Sequence, residues 1–208
     1  MGNAIALLAA EHAAIHRAMG VLSRLCEQAA AGAADNHADN AGQILEFLRE
    51  FAEGCHNAKE ERLLFPALSR RGVPATQGAI AAQLAGRHQR RQLIDAMTRS
   101  QAAWSAGHRG AGTRFSAAAT AYHALHEKQV AAEHDVLFVV ADRVLDTLAQ
   151  DALTHAFGQF DLQVLGRSRR SALYRQLDKL QLQYPATGVT AAQARGASRA
   201  PRATVWVP

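Results

Sequence analysis

Ile5, Leu8, His12, Ile15, Met19 and Leu22 follow one another in steps of three and four. That spacing puts all six on one face of an α-helix, and such a stripe has to be buried against other helices. The composition agrees. Apolar residues make up 49% of the 208 residues, much of it alanine and leucine, and glycine and proline are sparse before the C-terminal end. Residues of this kind favour helix over sheet. The stretch "AAAGAADNHADNAG" breaks the pattern and predicts a loop with a capping residue. A second helix is expected over about 39–70, with Pro66 kinking it or ending its regular hydrogen bonding. "RRGVPATQG" is a connector, a third helix is expected over about 77–105, and a fourth runs from near Thr113 to about Leu148. Long helices joined by short loops predict an all-α fold, an antiparallel up-down four-helix bundle over 1–148.

Residues 149–185 read as one or two further helices packed on the bundle as a C-terminal helical extension, and 186–208 as an extended basic tail. The apolar "TVWVP" is a candidate docking segment, so a homodimer through the C-terminal helices or tail is an expectation. The net charge of +5 is mild and collects after residue 165. No basic stripe interleaved with aromatics appears, which argues against a nucleic-acid partner. Two cysteines, Cys26 and Cys55, make no secreted disulfide framework and fit a reducing compartment. The N-terminus lacks the basic start and apolar run of a signal peptide. No stretch approaches the ~20 apolar residues of a membrane span. A cytoplasmic protein without a membrane role is therefore expected.

Ten histidines are the main chemical clue. His56 and Glu60 are four apart in the second helix, which places them on one face, about 6 Å apart along the axis. His12 lies in the middle of the first seam. Ile80, Leu84 and His88 step by fours and predict an inward His88. The fourth seam reads Tyr122, Leu125, Gln129, Glu133, Val136 and Val140. Two carboxylates inside a bundle need a counter-charge, and a metal centre supplies one. Other groups have plainer roles. Arg87, Arg90 and Arg91 read as a solvated face, with Arg91 pairing to a carboxylate. His16 and His123 read as polar surface, and Tyr122 as core with a satisfied hydroxyl. His126 could reach the site given a local bulge, while His134 points toward another helix or solvent.

Several segments resemble the hemerythrin-like (histidine-histidine-glutamate cation-binding) family. "LLAAEHAAIHRAMGVL" resembles its first helix. "FAEGCHNAKEERLLFPALSRRGVP" is similar to its His-x-x-x-Glu followed by Leu-Phe-Pro. "LAGRHQRRQL" and "YHALHEKQVAAEHDVLFVVADRVL" resemble the third and fourth helices, and "FGQFDLQVLGRSRRSALYRQLDKLQLQYP" a C-terminal extension found in some members. The resemblance implies metal ligands at His12, His56, Glu60, His88 and Glu133, with Glu60 and Glu133 bridging. It implies two irons, and O₂, NO or peroxide as small ligands, or iron handling. Gln129 stands where the fourth-helix histidine belongs, Arg87 where an acidic residue is common, and Asn57 where a second histidine is common. Gln129 leaves three outcomes: two irons with Gln129 or water completing one, a single metal, or a metal-depleted regulatory or scaffold protein.

Overall fold

The computed structural model describes residues 1–31 and 36–185. The expected tail, and four residues of the first loop, lie outside the described residues. Six helical rods and no strand occur among the described residues. α1 is Asn3–Ala30, α2 covers 37–69, α3 is Gly78–Ser105 and α4 covers 111–144. These four form the antiparallel bundle. α5 (Thr147–Val164) and α6 (Gly166–Gln183) follow and pack back across it.

All six residues of the predicted α1 seam are buried. By length and composition alone α1 could cross a membrane, with mean hydropathy 1.2, yet 56% of that window is buried in the bundle. Asn36 stands at the N-terminal cap of α2 but makes no capping hydrogen bond with its side chain, contrary to the expected cap.

α2 is not a uniform α-helix. It opens as His37–Phe47 in α geometry, widens into π geometry over Leu48–Asn57 and again over Glu60–Leu64, and closes as Phe65–Ser69. Pro66 sits in the first turn of that last segment, where a missing N–H does least harm. The rod continues past it to Ser69, and the change from π to α geometry falls just ahead of the proline. α4 carries a third π segment, Glu133–Leu137. Single π turns inside α-helices cluster at functional sites, and here they carry His56, Glu60 and Glu133.

The fourth helix ends earlier than the sequence suggested. Leu145 is extended, and the Asp146 carboxylate accepts a hydrogen bond from the Ala149 N–H at 2.8 Å, capping α5. The stretch Leu-Asp-Thr was the signal for this break. Gly166, with φ 68°, turns the chain from α5 into α6.

The apolar core is in two parts. One packs Ile15, Met19 and Leu22 with Phe47, Phe51, Met97, Phe115, Tyr122 and the α6 leucines Leu173, Leu177 and Leu180. The other packs Ile5 and Leu8 with Leu64, Leu68, Ile80, Leu137, Phe138 and Phe157 of α5. Between them, along α1, lie Glu11 and His12, and with them the buried polar residues that follow.

Candidate metal centre

His12 of α1, His56 and Glu60 of α2, and Glu133 of α4 converge. Each offers one ligand atom, and these atoms all lie within 4.8 Å of one another. None of the four residues is more than 6% exposed. His12 Nε2 lies 3.1 Å from Glu133 Oε2. Glu60 Oε1 is buried without a hydrogen-bond partner. Orphaned acceptors of this kind are rare in a settled interior. Two imidazoles and two carboxylates suit iron, zinc or manganese, so the residues fit a bound metal.

Both histidines are held from behind. His56 Nδ1 lies 2.9 Å from Glu11 Oε2, an N–H donating to a carboxylate, which leaves Nε2 as the free ligand atom. Burial alone would raise the Glu11 carboxyl. The His56 hydrogen bond and the Lys59 charge outweigh it and hold Glu11 down at about 2. Lys59 Nζ is 2.5 Å from Glu11 Oε1 and 2.8 Å from Asp161 Oδ1, and Arg170 reaches both acids. Glu11, Lys59, Asp161 and Arg170 thus join α1, α2, α5 and α6 in one ionic network. Cys55 Sγ donates to Asp161 Oδ1 at 3.1 Å, and burial pushes its thiol pKa up. His12 Nδ1 shares a 3.0 Å hydrogen bond with His134 Nε2. His134 itself is exposed, so it faces solvent and reaches α1 at once.

The third helix departs from the expected reading. His88 is exposed and pairs with Gln92 at 3.1 Å, and Leu84 is 40% exposed. The inward seam is Ile80, Gln83, Arg87, Arg90, Ile94 and Met97. Arg87 is fully buried, not solvated. Its Nη2 bonds Glu60 Oε2 and lies 3.3 Å from Glu133 Oε1, and its guanidinium stacks on Phe65 at 4.7 Å. The cause is electrostatic: two buried carboxylates attract a cation that an imidazole at 88 does not provide. Arg91 pairs with Glu61, as expected.

The fourth seam is also shifted. His126 is buried in place of Leu125, and the π segment turns Leu137 and Phe138 inward while Val136 stays 49% exposed. His126 Nδ1 lies 3.0 Å from Arg90 Nη1, and burial with the Arg90 charge lowers its pKa to about 3. It faces Arg90 and is not one of the four clustered residues. Gln129 reaches α3 instead. Its amide nitrogen donates to the Gln83 carbonyl at 3.2 Å, and Gln83 answers to the Gln129 carbonyl at 3.1 Å. Gly86 makes room, since a Cβ there would sit 1.8 Å from Gln129 Nε2. The Tyr122 hydroxyl goes to Glu53 at 3.3 Å. His16 is exposed, and His123 pairs with Glu127 on the surface.

Replacing Glu11 with glutamine removes the charge behind His56 while keeping the shape. Metal affinity is expected to fall about 10–100-fold, with the number of metals per chain unchanged. Competition against a chelator of known affinity measures this, and an unchanged affinity would show that Glu11 does not act through His56.

An all-α bundle with a buried cluster of two histidines and two glutamates defines a helical bundle with a candidate cation site. The family model of the hemerythrin HHE cation-binding domain matches residues 3–141, and the chain belongs to that family. No curated protein and no solved structure matches the chain.

Proposed function

We propose that this chain holds iron at His12, His56, Glu60 and Glu133 and that the centre binds or responds to O₂, NO or peroxide. The observation that carries the reading is one compact cluster of two imidazoles and two carboxylates in which Glu60 Oε1 is buried without a hydrogen-bond partner. Iron held by imidazole and carboxylate with a position left open supplies reversible binding or reduction of such small ligands.

The chain's own residues set the conditions for that chemistry. Glu11 and His134 fix the ring orientations of His56 and His12. Burial of all four donors keeps bulk water and large reactants away. A cavity of about 730 Å³ lies between α5 and α6, but none of the four donors lines it. Diatomic or similarly small ligands are therefore the favoured class. The Gln129 amide nitrogen is committed to the α3 backbone, while its oxygen Oε1 is buried without a hydrogen-bond partner one turn before Glu133, so Gln129 remains a candidate oxygen donor beside the four. One observation favours the metal-depleted scaffold instead: Arg87 and His12 already give Glu60 and Glu133 partners.

Iron, zinc and manganese per chain, measured after anaerobic ferrous loading and desalting, tests the reading. Retained iron whose near-ultraviolet and visible bands change on adding NO supports it. A colourless protein that retains no metal, with a melting temperature indifferent to iron, supports the scaffold.

A further inference from the structure

We propose that Arg87 is a built-in second cation of this centre, so that the site takes one metal ion and no more. The inference rests on the metal-binding reading above and concerns how the four donors are shared.

The two carboxylates each have two oxygens, and the structure divides them. Glu60 Oε2 and Glu133 Oε1 go to the Arg87 Nη2 group. Glu60 Oε1 is left without a partner, and Glu133 Oε2 lies 3.1 Å from His12 Nε2. Each carboxylate therefore spans two positive positions, as a bridging carboxylate does. One position is filled by the guanidinium, and the other is the metal position beside His12 and His56.

Charge leads to the same count. Glu60 and Glu133 carry two negative charges, and Arg87, effectively always protonated, carries one positive charge. One divalent ion leaves this group at a net charge of plus one. A second would raise it to plus three in a site where no donor is more than 6% exposed, and low-dielectric surroundings penalise that heavily. The imidazole expected for a second ion is missing as well. His88, the imidazole expected on α3, is on the surface, and the inward position one residue earlier is Arg87 itself. Arg87 is also locked in place. Its Nη1 donates to the Asn57 carbonyl at 3.0 Å, and Phe65 covers its face. It cannot swing out to admit a second ion without stranding a buried cation.

The test loads wild type and Arg87→His with manganese(II) under anaerobic conditions. Metal per chain is counted by mass spectrometry, and electron paramagnetic resonance reports whether the ions are coupled. Wild type is expected to retain one manganese with an uncoupled six-line spectrum. Arg87→His, which puts an imidazole at the inward position and removes the fixed charge, is expected to retain two, with an exchange-broadened spectrum. Two coupled ions in wild type would overturn this inference and leave the metal-binding reading standing. A count of one in both proteins would also overturn it, since Arg87 would then not be what limits the site. Zero in both would sink the metal-binding reading itself. Should Arg87→His fail to fold, the wild-type count and spectrum decide alone, because two coupled ions there are incompatible with a resident guanidinium.

Discussion

A Glu60→Gln protein is expected to leave desalting without metal and yet, in the metal-free state, to resist urea better than the metal-free wild type. The two halves have one origin. Glu60 is fully buried, and burial together with the Glu133 charge pushes its carboxyl pKa up. Arg87 answers the two buried carboxylates, and half-buried Glu61 at 3.5 Å, with one guanidinium. Without metal, the second negative charge opposes folding. A neutral amide of the same shape keeps a hydrogen bond to Arg87 and removes the repulsion, a gain on the order of 1 kcal/mol. The same change removes an anionic donor from a set of four. The loss of affinity should exceed the ~10–100-fold that follows from disturbing an outer partner. Metal retained at the wild-type level would dissolve the site assignment. A less stable metal-free variant would mean that the carboxylate pair is not strained.

Lys59→Met should produce the largest loss of fold stability, about 3–5 kcal/mol. Lys59 is 2% exposed, and its ammonium stands between Glu11 at 2.5 Å and Asp161 at 2.8 Å. Methionine fills the stem's space but leaves buried Glu11 and half-buried Asp161 with Arg170 as their one shared cation, beside the His56 and Cys55 hydrogen bonds. Urea unfolding of the metal-free protein reads the loss. Adding Asp161→Asn to Lys59→Met should recover part of it, since one stranded charge is then removed. A loss under about 1 kcal/mol would show that solvent reaches the network and screens it.

The first seam could be read in full because its one polar member, His12, interrupts an otherwise apolar stripe. The third could not be read the same way. Following apolar side chains alone led from Ile80 to Leu84 and on to His88, which the fold leaves on the surface. Stepping back from Met97 and Ile94 by threes and fours passes through Arg90, Arg87 and Gln83 to Ile80, which is the observed seam. The signal was present, but charged residues on a buried face run against ordinary burial preferences, and only a carboxylate pair contributed by two other helices justifies them. On α4 the spacing held at Tyr122, Gln129 and Glu133, with His126 buried in place of Leu125. Past that point the π turn rotates the face, and no periodicity rule for a regular helix anticipates it. Glu11 and His134 sat beside His12 and Glu133 in the sequence, but their roles depend on partners 45 and 122 residues away. Contacts of that range come from packing, which local spacing does not encode.

The family match stops at residue 141, whereas the charges that steady His56 extend to Asp161 and Arg170. The inherited module and the cooperative unit therefore have different borders. A piece cut at the module's edge would still contain every donor of the centre, but Glu11 would lose Arg170, and Lys59 would lose Asp161. The face of α1 that α5 and α6 now cover would meet water. In this chain the last two helices act as a buttress: they supply none of the four clustered residues, and their charges steady Glu11 and Lys59 behind His56.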